Sequence, residues 1–144
     1  MKINIKKLTA TAKLPTYGSE FSAGADLYSD EDEFVIAPGE THLVHTGLSI
    51  EIPEGYGGFI YSRSGLATKK GLAPANKVGV IDADYRGEVR VSLFNHSSVP
   101  QTVAAGERIA QLVIAPFLKA DFVEADELSG TVRGEGGFGS TGTV

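Results

Sequence analysis

Glu88-Val89-Arg90-Val91-Ser92-Leu93 decides the fold. Its alternation puts Val89, Val91 and Leu93 on one face and polar side chains on the other, the period of a half-buried strand. Outward from this strand, at 88–95, the chain reads as further short strands at 3–8, 25–28, 33–36, 41–52, 57–61, 78–82, 101–103, 108–117 and 121–124. Turn signals separate them at Pro38-Gly39, Pro53-Glu54-Gly55, Gly57-Gly58, Arg86-Gly87, Val99-Pro100 and Ala105-Gly106. One brief helix is expected from Ser64 to about Lys70, stopped by Gly71. Many short strands at this spacing argue for an all-β sandwich, jelly roll or barrel.

Bulk composition narrows the function. A chain of 144 residues is long enough for one domain with a real core. Its formal net charge of −5 leaves no broad basic face for nucleic acid. Any phosphate ligand must therefore be held by a few placed arginines, from Arg63, Arg86, Arg90, Arg108 and Arg133. There is no cysteine, so disulfides, thiolate chemistry and zinc–sulfur sites are excluded. The basic start has no apolar run behind it and no stretch approaches membrane-spanning length, so the expected location is the cytoplasm, away from membranes.

The last twelve residues, RGEGGFGSTGTV at 133–144, suit an anion-wrapping loop. Glycines let backbone N–H groups approach phosphate oxygens, Arg133 offers a fork of donors, and Phe138 can stack on a base. Gly134, Gly136 and Gly139 fit G-x-G-x-x-G, but the chain ends too soon to supply the helix or strand that pattern needs. The segment is either a frayed tail or a mobile lid over a ligand held elsewhere.

Upstream, Arg63-Ser64-Gly65 falls where a strand ends and the helix begins, a place with free N–H groups for phosphate. Ser64 serves equally well as an N-cap, and Arg63 as an ion-pair residue. Asp82 follows the apolar Gly79-Val80-Ile81, the position of a general base; Asp82-Ala83-Asp84-Tyr85-Arg86-Gly87 is also good turn chemistry. Asp82 and Asp84, two apart, do not read as a pair. Asp26 opens a short apolar strand in AGADL, and Gln111 interrupts an apolar strand in GERIAQL, where a phosphate or a neighbouring backbone would satisfy it. The acidic run 30–33 reads as a solvated turn, and His42, His45 and His96 lack metal-ligand spacing.

Taken together and in order, these pieces resemble the trimeric dUTP pyrophosphatase (dUTPase) family. The five stretches are AGADL at 23–27, SRSGLA at 62–67, Asn76 through GVIDADYRG to Gly87, GERIAQL at 106–112 and RGEGGFGSTG at 133–142. The likeness runs from about Leu14 to Gly142, with Ser62 standing where many relatives have proline. It implies a jelly-roll β-barrel domain over 1–132, a mobile C-terminal lid over 133–144, and a homotrimer with shared active sites. It also implies Mg²⁺-assisted hydrolysis of dUTP to dUMP and pyrophosphate, which keeps uracil out of DNA and supplies dUMP for thymidylate synthesis.

Carried over residue by residue, the resemblance makes Asp82 the base that activates water, and sets Tyr85 against the deoxyribose. Asn76 and the backbone of Gly79, Val80 and Ile81 read uracil. Arg63, Ser64, Gly65 and Gln111 hold phosphates. Asp26 meets Mg²⁺ through its water shell, the ion resting mainly on the triphosphate. From the lid, Phe138 stacks on uracil, Arg133 reaches the γ-phosphate, and Gly139, Ser140 and Thr141 donate to phosphates. The rival readings are a dCTP deaminase of the same fold, a nucleotide-sensing regulatory protein and a purely structural β-sandwich.

Overall fold

Burial along the strand that opens the sequence reading follows its alternation: Val89, Val91, Leu93 and Asn95 are buried. The computed structural model describes residues 1–137. In chain order the strands are β1 (Asn4–Lys7), β2 (Thr16–Tyr17), β3 (Ala25–Tyr28), β4 (Phe34–Ile36), β5 (Thr41–Glu51) and β6 (Tyr56–Tyr61). After helix α1 (Ser64–Lys70) come β7 (Leu72–Pro74), β8 (Gly79–Ile81), β9 (Glu88–Asn95), β10 (Gln101–Val103) and β11 (Arg108–Pro116).

A four-stranded sheet, β1-β5-β9-β7, and a five-stranded sheet, β2-β3-β11-β6-β8, bury one common core; β10-β4 forms a small third sheet. All pairings are antiparallel. Val44 and Ile50 of β5 and the apolar face of β9 contribute from the first sheet, and Leu27, Ile60, Ile109 and Leu112 from the second. Sequential strands mostly pair with distant ones, as in a jelly roll.

Two strands were illegible from sequence. β2 is two exposed residues with no alternation. β7 ends in Pro74, which argues against a strand in a sheet interior but is tolerated here because β7 lies at the edge. The expected strand at 121–124 is absent. From 118 to 130 the backbone forms no backbone hydrogen bond among the described residues, so these residues have no ladder to join. The helix falls where expected, ending at Gly71 in the left-handed region (φ 67°). The acidic run is less solvated than expected. Thr9 donates to Asp30, while Glu31 accepts from the His45 N–H at 2.6 Å and bonds the His42 ring at 2.8 Å.

Asn95 is the polar hub of the core, with no solvent exposure. Its amide nitrogen donates to the carbonyls of Ile36 (2.9 Å) and Val99 (2.8 Å), while its oxygen accepts from the Ser97 N–H (2.8 Å) and hydroxyl (2.7 Å). These bonds tie β9 to β4 and to the turn before β10. Asn95→Ala should therefore lower unfolding free energy by about 2 kcal/mol, because it orphans the buried Ile36 carbonyl and removes three part-buried bonds to Ser97 and Val99. Urea denaturation checks this; a loss below about 1 kcal/mol contradicts the hub role.

Candidate functional site

Two cavities collect nearly all the described residues that the sequence singles out. They share no lining residue.

The first, of about 290 Å³, is walled by Asn76, the β8 residues Gly79, Val80 and Ile81, Asp82 and Tyr85, with Leu43, Ile60 and the start of β9 behind. β8 is the last strand of its sheet, paired with β6 on one side only. Its outer edge therefore presents unpaired backbone donors and acceptors. The turn entering β8 is tight: the Lys77 N–H donates to the Pro74 carbonyl (3.0 Å) and the Val78 N–H to Asn76 (2.7 Å). Lys77 takes φ 65°, the one positive φ of a non-glycine among the described residues, and the bend holds Asn76 beside Gly79.

Beyond β8, a turn closes with the Tyr85 N–H donating to the Asp82 carbonyl at 3.1 Å. Asp82 lines the cavity and Asp84 does not, in keeping with the expectation that they do not pair. The Tyr85 hydroxyl donates to the Glu88 carbonyl at 3.0 Å, and its ring crosses Gly87 so closely that a Cβ there would overlap it. The ring's orientation is thus set by one hydrogen bond and one missing side chain.

The second cavity, also about 290 Å³, is lined by Asp26, Arg63, Ser64, Gly65 and Gln111, with Gly18, Ser22, Ala23 and Gly24. Strand register explains the assembly. In the order β3-β11-β6, Gln111 stands opposite Asp26 on one side and Tyr61 on the other. Three stretches far apart in sequence thereby meet in one row.

Gln111 donates to the Ser62 carbonyl at 2.8 Å, so a backbone group satisfies its amide nitrogen without any ligand. Asp26, only 8% exposed, accepts from Arg63 Nε at 2.6 Å and from Arg108 at 3.2 Å. Two guanidinium groups around one carboxylate leave a net positive charge, suited to an anion. Arg63, not Ser64, occupies the N-cap position and makes no side-chain cap, so Ser64 opens the helix with its hydroxyl free of that duty. Arg63 fills the ion-pair reading and still lines the cavity.

Arg133 lies apart from both cavities, exposed, with its Nε donating to the Gly136 carbonyl at 2.6 Å. Phe138, Gly139, Ser140 and Thr141 lie outside the described residues. Arg108, one of five arginines that the composition offers for a phosphate, is assigned no place in the site by its sequence position. Three residues before Gln111 on a strand, it should point to the opposite face. A β-bulge between Arg108 and Ala110 shifts the register so that Arg108 faces Tyr28 while Gln111 faces Asp26. Tyr28 and Asp26 share a face, and therefore Arg108 and Gln111 do too. Only the pairing reveals this.

A carboxylate-edged pocket and a cationic one, on a mostly β frame, carry the donor and acceptor sets that a nucleotide requires. The dUTPase family model matches residues 10–142, and the chain belongs to that family. The deoxyuridine 5'-triphosphate nucleotidohydrolase of a Hydrogenobaculum species is 53% identical over 142 residues, covering 99% of each chain. That of Nautilia profundicola is 52% identical over 142 residues, again covering 99% of each. Among solved structures, the dUTPase of Staphylococcus bacteriophage 80alpha with dUPNHPP superposes with a TM-score of 0.91 at 30% identity, over 99% of both chains. A dUTPase from phage phi11 of S. aureus, solved with a structural Mg(II) ion, has a TM-score of 0.80 at 25% identity, over 88% of this chain and 98% of that one.

Gly24 tests the packing of the second cavity. A Cβ there would fall on the Gln111 amide, so Gly24→Ala should expel that side chain and cost about 1–3 kcal/mol. Thermal denaturation combined with triphosphate titration checks it; a variant with unchanged melting and affinity would show that Gln111 is free to move.

Proposed function

We propose that this protein hydrolyses dUTP to dUMP and pyrophosphate, by attack of water on the α-phosphorus, in the cytoplasm. The observation that carries the reading is the pairing of Asp82 with Tyr85 in a pocket edged by a half-paired strand. That edge supplies the alternating donors and acceptors a pyrimidine needs.

In this reading the outer backbone edge of Gly79, Val80 and Ile81, with the Asn76 amide, pairs with the uracil edge. Cytosine presents a donor where uracil presents an acceptor, so two donors would face each other unpaired. Thymine's methyl group would meet the hairpin. The Tyr85 ring, fixed across Gly87, occupies the space of a ribose 2′-hydroxyl. The Asp82 carboxylate accepts a hydrogen bond from the attacking water and takes its proton as the new P–O bond forms. The bond from the α-phosphorus to the bridging oxygen breaks, and pyrophosphate leaves. Arg63, the Ser64 hydroxyl, the Gly65 N–H and Gln111 hold the phosphates; such reactions depend mainly on positioning and charge stabilisation.

The residues present fit Mg²⁺ carried by the substrate. Among the described residues no cluster of acids and histidines could hold a metal. Each Asp26 oxygen receives one guanidinium hydrogen bond and keeps lone-pair capacity for a metal-bound water. When bound, the ion would neutralise charge on the phosphates. The phi11 dUTPase was solved with a structural Mg(II) ion, which supports magnesium as the metal but not its place on the substrate.

The working unit we propose is a homotrimer. The two half-sites share no residue on one chain, and the segment after β11 exposes a run of apolar side chains, including Leu118 (98%) and Phe122 (95%). Such a run is what a neighbouring copy would cover. In this reading residues 1–132 are the barrel domain and 133–144 the lid, with Arg133, Phe138, Gly139, Ser140 and Thr141 closing on the nucleotide and excluding water. Deamination of dCTP is disfavoured by Glu88, the one glutamate lining the first cavity. Its oxygens are engaged by the Gly47 N–H and the His45 ring, both at 2.8 Å.

Pyrophosphate release from dUTP, dCTP, dTTP and UTP, with and without Mg²⁺, tests the reading. We expect turnover of dUTP alone and dependence on the ion; ammonia from dCTP, or binding without turnover, would replace it with deamination or sensing. Asp82→Asn should keep dUTP affinity and lose at least about 100-fold in kcat, and near-normal turnover would remove Asp82 as base. Tyr85→Ala should raise relative activity on UTP roughly tenfold or more, measured as the ratio of kcat/KM values. Deleting 133–144 should leave the melting temperature unchanged and cripple turnover.

A further inference from the structure

We propose that Arg108 is a positioning residue for the phosphate cavity, acting through Asp26. This rests on the phosphate-binding reading of that cavity. Arg108 is absent from the cavity's lining and touches the site through its 3.2 Å hydrogen bond to one Asp26 oxygen. Asp26 in turn holds the Arg63 Nε at 2.6 Å through its other oxygen. The Arg63 terminal nitrogens have no partner among the described residues, so they are left for a ligand.

The arrangement does two things. It fixes the carboxylate from the far side, so that Arg63 is anchored by its Nε and its fork stays free. It also sets the charge of the cavity. Asp26 alone would cancel Arg63; with Arg108 on the same carboxylate, the trio keeps one positive charge. The β-bulge between Arg108 and Ala110 exists at the position that turns Arg108 onto the Asp26 face. The carboxylate is thereby kept from drawing Arg63 away from the phosphates, and from attracting a bare metal ion into direct contact.

The test compares wild type, Arg108→Met and Arg108→Lys by calorimetric affinity for inorganic triphosphate, by kcat and KM for dUTP, and by the Mg²⁺ concentration giving half-maximal rate. Arg108→Met should weaken triphosphate binding and raise KM about tenfold, with kcat within about threefold and half-saturation at lower Mg²⁺. Arg108→Lys, which retains the charge, should recover most of the affinity. In an Asp26→Asn background Arg108→Met should have no further effect. Unchanged affinity and KM in Arg108→Met, with only a lower melting temperature, would reduce Arg108 to a structural residue. Additive losses in the Asp26→Asn background would mean that Arg108 meets the ligand directly. Either result overturns the proposal. Should Arg108→Met fail to fold, Arg108→Gln, which keeps a donor but drops the charge, is read by the same criteria. A wild-type protein that binds triphosphate and does not hydrolyse dUTP would sink the hydrolase reading alone, since triphosphate affinity reads the clamp without turnover.

Discussion

The register of β11 between β3 and β6 is the constraint on which the rest depends. Sliding β11 by one residue would turn Gln111 into the core and Leu112 out of it, undoing the cavity and the hydrophobic layer together. Core burial and site assembly are therefore one requirement: Ala110 and Leu112 bury, so Gln111 must face the row that holds Asp26 and Tyr61, within reach of the Ser62 carbonyl. The bulge at the start of the strand adjusts this pattern at one point and brings in Arg108.

The two cavities divide the chemistry by kind of contact. One is built from a strand edge, a bend and an aromatic ring, features that recognise shape and hydrogen-bond pattern. The other is built from paired charges and a helix start, features that recognise an anion. Tyr85 and Asp82 stand in the first, so in the proposed function the attacking group is aligned by the nucleoside half and the phosphates are held by the other. A chemistry that needs both must bring them together, which is why subunit assembly and catalysis are inseparable in the proposed function.

Much of this was legible in the amino-acid sequence where side chains alternate. β9 and β3 fall where their patterns put them, and the helix stops at its glycine. Asp26, Arg63, Gln111 and Asp82 stand out as polar residues at the ends or interiors of apolar runs, Asn76 entered only through the family resemblance, and each lines a cavity. What stayed hidden depends on pairing. β2 and β7 are too short or too proline-marked to show a period, and 121–124 has strand-like residues but no neighbour. The Asp26–Arg108 contact spans 82 residues and is created by a bulge that spacing alone conceals.

The unpaired outer edge of β8 carries one last consequence. If main-chain groups read the base, a substitution at Val80 leaves that part of the recognition code untouched, since every residue but proline offers the same N–H and C=O, whereas a side chain at Gly79 would crowd Ile60 and the Asn76 amide. Val80 points largely to solvent and is open to drift. A change of base preference would demand an insertion or deletion that re-aims the hairpin, a rarer genetic event than a substitution. Fidelity written in backbone is therefore hard to erode one codon at a time.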